Sequence, residues 1–466
     1  MQPVSTIDIL TPAVRIADAT GQHTIDLARV LKGNGATVNI IYNDSTELVP
    51  EDLRPSIKNI NANTFLSGAA LAILQYPIWY PLAERFRYSR NAALFWYHGV
   101  TPPQLWSEKQ GAEELHASEK KTRLAWHADL AVCASPFTAA ELHRHSGYPQ
   151  DRIRIIPYAV NTSHLEHRSA SSESDSLRNQ LRLTGKRVLL YVGRIAGHKR
   201  IDLLIAALAK LASYNPDLCL LIVGNPNATQ TTKDLTAQLR SQAQALGIAE
   251  RVIFAGEAFN VAPYYELADI FVQASQHEGF CVPLIESMAA GVPIVASASS
   301  AMPWVLNAQS DEDYAGLTFV PGDADSLAQQ VERLLNNPQL CNDLVLRGKQ
   351  RMQEFDHAHF EQRVNDVVAE VTEMKAQKLV KVDFTNLQAQ ADTVIRGYKV
   401  RSGVPLLGKW IAKFRVNSTS HIKEAYLDRV LDRQVDYNNM LANEIDRLHA
   451  EISLLRAQLD AIKDKI

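Results

Sequence analysis

Cysteine is scarce in this chain: its 466 residues contain four, Cys133, Cys219, Cys281 and Cys341, far apart and with no Cys-x-x-Cys pair. A disulfide framework and a zinc knuckle are therefore excluded as organising elements, and a reducing, cytoplasmic setting fits best. No apolar run reaches the roughly 18 residues that a membrane-spanning helix needs. The opening MQPVSTIDIL lacks a cationic start followed by an apolar stretch, so it does not read as a secretory signal. An excess of one charge sign is also missing. Lys and Arg number 48 against 51 Asp and Glu, a net charge of -3, which removes the basic footprint expected of a nucleic-acid partner. What is present is ordinary globular material: 46% hydrophobic and 21% charged residues. The length is about three average domains of ~150 residues, so two domains with extra segments are expected.

Short β-rich runs alternate with helical patterns as far as residue 355. In the first half the strand candidates are Ala36–Tyr42, Leu71–Tyr76, Ala92–Tyr97, Leu130–Ala134 and Arg152–Ile156. They are nearly continuous apolar runs, as strands buried on both faces of a parallel sheet are. Ser169–Ser176, SASSESDS, has no core-forming residue and reads as lying on or near an interdomain connection. The rhythm then restarts with strands at Arg187–Val192, Leu218–Val223, Arg251–Phe254, Ile270–Val272 and Pro293–Ala296. Helical patterns stand at Ile201–Ala212, Lys233–Ala245 and Ser326–Leu335. Two such series predict two facing, doubly wound α/β domains, with ligands at the carboxyl ends of the strands.

The most informative segment is Gln276–Ser297, QHEGFCVPLIESMAAGVPIVAS. A buried strand runs into Ser275, a turn carries Glu278 and Gly279, and Pro283 suits a helix start. Glu286 then lies about one turn inside the helix and leans back toward the crevice that Glu278 faces. The helix tip offers unpaired N–H groups to a phosphate. In YVGRIAGHKR, a strand ends at Gly193 and Arg194, with Lys199 five residues on, so the two cations can converge on one anion. His198 reads as a neighbour only. Strand Ala92–Tyr97 ends in His98, placed to exchange a proton near neutral pH. Gly21, in a turn before a helix over Thr24–Leu31, can bring backbone N–H groups to a ligand. The acidic triplets Asp311–Asp313 and Asp323–Asp325 read as solvated loops rather than metal ligands.

Together these segments resemble the family-four glycosyltransferases, of the two-Rossmann-domain (GT-B) type, over roughly residues 15–372. The resemblance rests on Glu278 and Glu286 in EGFCVPLIE followed by MAAGVPIVAS, on YVGRIAGHKRID, on WYHGV, and on RIRIIPYAVN, where Asn161 stands in place of a usual Asp. It implies that Glu286 binds the ribose of a nucleotide-sugar donor and that Arg194 and Lys199 neutralise the departing diphosphate. Glu278, with the backbone of Gly279, Phe280, Cys281 and Val282, holds the sugar and the phosphate. His98 reaches the sugar from the opposite domain, and Gly21 approaches the diphosphate or acceptor. The family retains the donor's anomeric configuration by front-face attack, which calls for no metal and no cofactor beyond the nucleotide-sugar co-substrate. Two departures stand out: a single glycine, Gly21, where many relatives have two, and Cys281 and Ser287 in place of the commoner Gly and Ala.

The implied domains are 1–175 on the acceptor side, 176–357 for the donor nucleotide, and a cross-over helix at 358–379. Two extensions follow, basic and amphipathic at 380–426 and a coiled coil at 427–466. Between Thr393 and Lys423 there are seven Lys or Arg and no acidic residue; GVPLLGKWIAKF within it suits either an anionic membrane surface or docking on the body. Leu441, Ile445, Leu448, Ile452, Leu455, Leu459, Ile462 and Ile466 alternate spacings of four and three. With Asn438 at an a position, this seam favours a parallel dimer, and so a homo-oligomer through Leu441–Ile466. The expected activity is sugar transfer to a glycan or lipid-linked acceptor in bacterial surface polysaccharide synthesis. The alternatives are a nucleotide-sugar epimerase or phosphorylase on the same scaffold, or a catalytically silent coiled-coil assembly protein.

Overall fold

Apolar runs that offer no polar face have to be covered on both sides, and the computed structural model of the chain does this twice. It describes residues 6–14, 19–42, 49–59, 69–89, 91–106, 109–165, 172–310 and 312–380. The basic extension, the coiled-coil seam and Asp311 lie outside these residues. The first sheet comprises β1 (Thr6–Thr11), β2 (Thr37–Tyr42), β3 (Ile57–Asn59), β4 (Leu71–Tyr76), β5 (Ala92–Tyr97), β6 (Leu130–Cys133) and β7 (Ile153–Ile155). Its order is β3-β2-β1-β4-β5-β6-β7, parallel throughout. Helices α1 (Ala19–Gly33), α2 (Lys109–Lys121) and α3 (Pro136–Ser146) belong to this lobe.

The second sheet comprises β8 (Arg187–Val192), β9 (Leu218–Val223), β10 (Val252–Gly256), β11 (Ile270–Gln273), β12 (Ile294–Ser297) and β13 (Leu317–Phe319). Its order is β10-β9-β8-β11-β12-β13, again parallel. The helices of this half are α4 (Ser172–Gln180), α5 (Ile201–Leu211), α6 (Gln230–Ala245), α7 (Ala262–Leu267), α8 (Val282–Ala290) and α9 (Met302–Val305). After them come α10 (Ala324–Leu335), α11 (Pro338–Arg351) and α12 (His357–Val380). Every residue of β4, β5 and β9 is buried. Each sheet lies between two apolar clusters, as a doubly wound fold requires. Phe360, Val364, Val367 and Val371 of α12 enter the core of the first lobe beside Ile9 and Trp96, so the chain's course returns to its first half.

Several expectations need correction. Gly21 is not in a turn: α1 already begins at Ala19, and Gly21, His23, Thr24 and Ile25 are buried in its first two turns. Packing of that face overrides the weak helix preference of Thr20 and Gly21. The polar stretch Ser169–Ser176 is not all linker, since α4 starts at Ser172. Asp325 is not a loop residue, since it lies in the first turn of α10. Asp323 caps α10 by accepting from the N–H groups of Asp325 and Ser326, and Asp325 pairs with Lys210. Strands β1, β3 and β13 add to the ten expected.

Candidate active site

Strand order reverses between β1 and β4 in one sheet and between β8 and β11 in the other. Such switch points open the crevice in which ligands of this fold class bind. The loops after β8 and β11 are joined there: the Gln276 N–H donates to the carbonyl of His198 at 2.8 Å. At their junction Lys199 Nζ lies 2.6 Å from Glu278 Oε1, both side chains 12% exposed. The same oxygen accepts from Ser275 Oγ at 2.7 Å and Gln273 Nε2 at 2.9 Å. Burial works against the charge on Glu278, but Lys199 and these donors prevail and pull its pKa down to about 2. It is an ionised carboxylate with one oxygen saturated.

Arg194 is exposed at the carboxyl end of β8, and its carbonyl accepts from Tyr191 Oη at 2.8 Å. It forms no ion pair among the described residues. Its field, with those of Lys199 and Glu278, acts on buried His198. Glu286 is partly buried one turn into α8, and its Oε2 accepts from Tyr265 Oη of α7 at 2.9 Å. Burial raises its pKa above the ordinary carboxylate value, offset in part by that hydroxyl. Cys281 lies within the fields of Glu278, Lys199 and Glu286.

That loop has an unusual backbone. Cys281 caps α8 at φ +80°, a left-handed conformation that costs a side-chain-bearing residue about 1 kcal/mol or more. A glycine, the commoner family residue, adopts it freely. The Cys281 thiol is buried and held in its neutral form, which suits packing and not nucleophilic attack. The backbone N–H groups of Gly279, Phe280, Cys281 and Val282 make no hydrogen bond among the described residues. They form a run of donors at the positive end of α8.

The first lobe closes on this loop. Ser135 Oγ donates to the Gly279 carbonyl at 2.8 Å. A Cβ built on Gly279 would stand 2.4 Å from the carbonyl oxygen of His98. A Cβ built on Gly99, at φ +89°, would stand 3.5 Å from the Gly279 Cα. Phe280 packs edge-on against Tyr158, ring centroids 5.2 Å apart.

Two family models cover most of the described chain. Glycosyltransferase Family 4 matches residues 20–164, and Glycosyl transferases group 1 matches residues 173–351. The chain belongs to glycosyltransferase family four. Mannosylfructose-phosphate synthase of Agrobacterium fabrum is 30% identical over 170 residues, 36% of this chain and 37% of that protein. The lipopolysaccharide core biosynthesis mannosyltransferase LpsB of Rhizobium meliloti is 23% identical over 258 residues, 51% of this chain and 70% of that one. The matched segment thus spans about a third to seven-tenths of these two relatives. Among solved structures, HepE of Anabaena, in complex with UDP and glucose, superposes with a TM-score of 0.65 at 17% identity. That alignment covers 78% of this chain and 100% of HepE, which establishes the GT-B fold.

Within this family-four glycosyltransferase the expected residues fall into three groups. Lys199 and Glu278 are joined directly, Glu286 follows one turn into the helix that the 279–282 backbone opens, and Arg194 stands at the end of β8. Gly21 lies on the first lobe inside α1. His98 departs from expectation. Its ring nitrogens are engaged by Tyr158 Oη at 2.5 Å and Gln75 Oε1 at 2.6 Å, and burial lowers its pKa to about 3. It stays neutral and is no proton shuttle near pH 7; its carbonyl against Gly279 is what meets the other lobe. Gln273, Ser275, Tyr265 and Ser135 were not singled out in the sequence. For Gln273 and Ser275 the only signal is their proximity to the Glu278–Glu286 segment, and for Tyr265 and Ser135 there is none, since each acts through a hydroxyl or amide that many loops contain.

Proposed function

We propose that this glycosyltransferase moves a sugar, with retention of configuration and without a metal, from a nucleotide-diphosphate sugar to a hydroxyl of a glycan or lipid-linked acceptor. The task we assign it is bacterial surface polysaccharide synthesis at the inner face of the cytoplasmic membrane. The observation that carries the reading is the Lys199–Glu278 pair beside four backbone N–H groups at the tip of α8 that make no hydrogen bond among the described residues. Such a tip suits a diphosphate, and the neighbouring carboxylate suits sugar hydroxyls.

In the reaction the bond between the anomeric carbon and the β-phosphate oxygen breaks, and the acceptor oxygen bonds that carbon from the same face. The acceptor proton passes to the departing phosphate, and a nucleoside diphosphate leaves. The charge that develops is on the leaving group, where Arg194, Lys199 and the N–H row supply preorganised stabilisation. Glu278 keeps one carboxylate oxygen for a sugar hydroxyl, and Glu286 meets the ribose.

A thermal-shift panel of UDP, GDP and ADP sugars tests the donor. One base should stabilise the chain by ~2.7 kcal/mol at a hundred times its dissociation constant; no shift with any of them would remove the proposal. We further propose a homo-oligomer, a parallel dimer, from the seam Leu441–Ile466. Ending the chain after Val416 should lower its mass in light scattering by more than half, and a fall no greater than the mass of the 50 removed residues would refute the seam.

A further inference from the structure

Ser135, the cap of α3, and Thr138 and Glu141 within it stand three residues apart and form a polar line on the first lobe. All three are buried. Ser135 holds the Gly279 carbonyl. The Thr138 methyl lies 3.4 Å from where a Gly279 Cβ would stand. Glu141, 1% exposed, has its two oxygens 3.0 and 3.2 Å from Nε2 of His277, a residue of the second lobe. The His277 ring also packs edge-on against Phe137 of α3, centroids 5.5 Å apart. Arg144 approaches Glu141 only to 3.5 Å and is itself largely exposed, so His277 is the buried partner. A carboxylate hidden in one lobe needs a donor; here the other lobe supplies it.

The loop that carries Glu278 alternates between lobes. Gln276 and Glu278 donate their backbone N–H groups within the second lobe, to His198 and to Ser300 Oγ. His277 and Gly279 are held by the first lobe.

We propose that Glu141 and His277 form a clasp that locks this loop to the first lobe, which makes Glu141 a positioning residue for Glu278. The proposal rests on the reading of the crevice as a sugar-donor site. The Lys199–Glu278 pair lies wholly in the second lobe, so parting the lobes breaks the clasp and leaves that pair intact.

The test uses the full chain, Glu141→Leu, His277→Leu and the exchange E141H/H277E, each with its thermal unfolding recorded. Small-angle scattering without nucleotide measures opening, and calorimetry with UDP, GDP and ADP measures binding. Each leucine variant should raise the radius of gyration and weaken the diphosphate that binds wild type about tenfold, ~1.4 kcal/mol of coupling. The exchange should recover most of both. A wild-type radius and unchanged affinity in Glu141→Leu, or an exchange no better than the single variants, overturns the clasp. If the variants open and the exchange recloses while no nucleotide binds even wild type, the clasp stands and the donor-site reading falls.

Discussion

Lys199→Ala should lower kcat/KM for the donor about 10²–10³-fold, the usual loss when one preorganised electrostatic partner is removed. The same substitution should destabilise the chain at pH 7 by about 3 kcal/mol, because it strands a buried carboxylate whose remaining partners are the neutral Ser275 and Gln273. The pH dependence follows from the direction of the shift. In the folded chain Glu278 is held down to about 2 from an ordinary 4.5. Its pairing therefore stabilises fully above pH 4.5 and is lost as the pH falls from there toward 2. The gap in stability between wild type and Lys199→Ala should be widest at neutral pH and narrow below 4.5. Glu278→Gln should keep more stability than Lys199→Ala, since its amide strands no buried anion. Thermal unfolding from pH 7 to pH 3 checks both statements, and a gap that widens in acid contradicts them.

The second large effect belongs to a methyl group. Gly279→Ala would put a carbon 2.4 Å from the carbonyl oxygen of His98, backbone against backbone, with no flexible side chain to give way. The loop or the lobes must shift by about an ångström, a displacement that can cost about 10²-fold in rate. Its stability cost should stay near the ~1–3 kcal/mol typical of overpacking. Steady-state donor consumption beside the unfolding midpoint separates the two, and a variant with half its activity would show that the lobes need not meet at Gly279.

Both predictions depend on contacts of different visibility in the sequence. The core strands were legible almost to the residue, because LAILQY, AALFWY, RVLLYV and LCLLIV are too apolar to leave a face in water. The three-residue strands β3 and β13 are too short to show a period. In β1, TIDILT, Asp8 interrupts the apolar run. The Glu278–Glu286 segment was legible because strand, glycine turn, proline and second carboxylate follow within one short stretch. The partners of His98 were not: Gln75 and Tyr158 lie 23 and 60 residues away, and only the folded sheet brings both nitrogens to them. The Lys199–Glu278 pair spans 79 residues, so the sequence offered two charges and not their bond.

The central claim is that the tip of α8 and its flanking cations hold a diphosphate. Calorimetry decides this most directly, with the nucleoside diphosphate selected by the thermal-shift panel and the matching nucleoside titrated into wild type and Lys199→Ala. The diphosphate should lose about tenfold or more in affinity in the variant, a charged hydrogen bond of ~1.4 kcal/mol or above, while the nucleoside binds both chains equally. Equal diphosphate affinity in the two chains would contradict it.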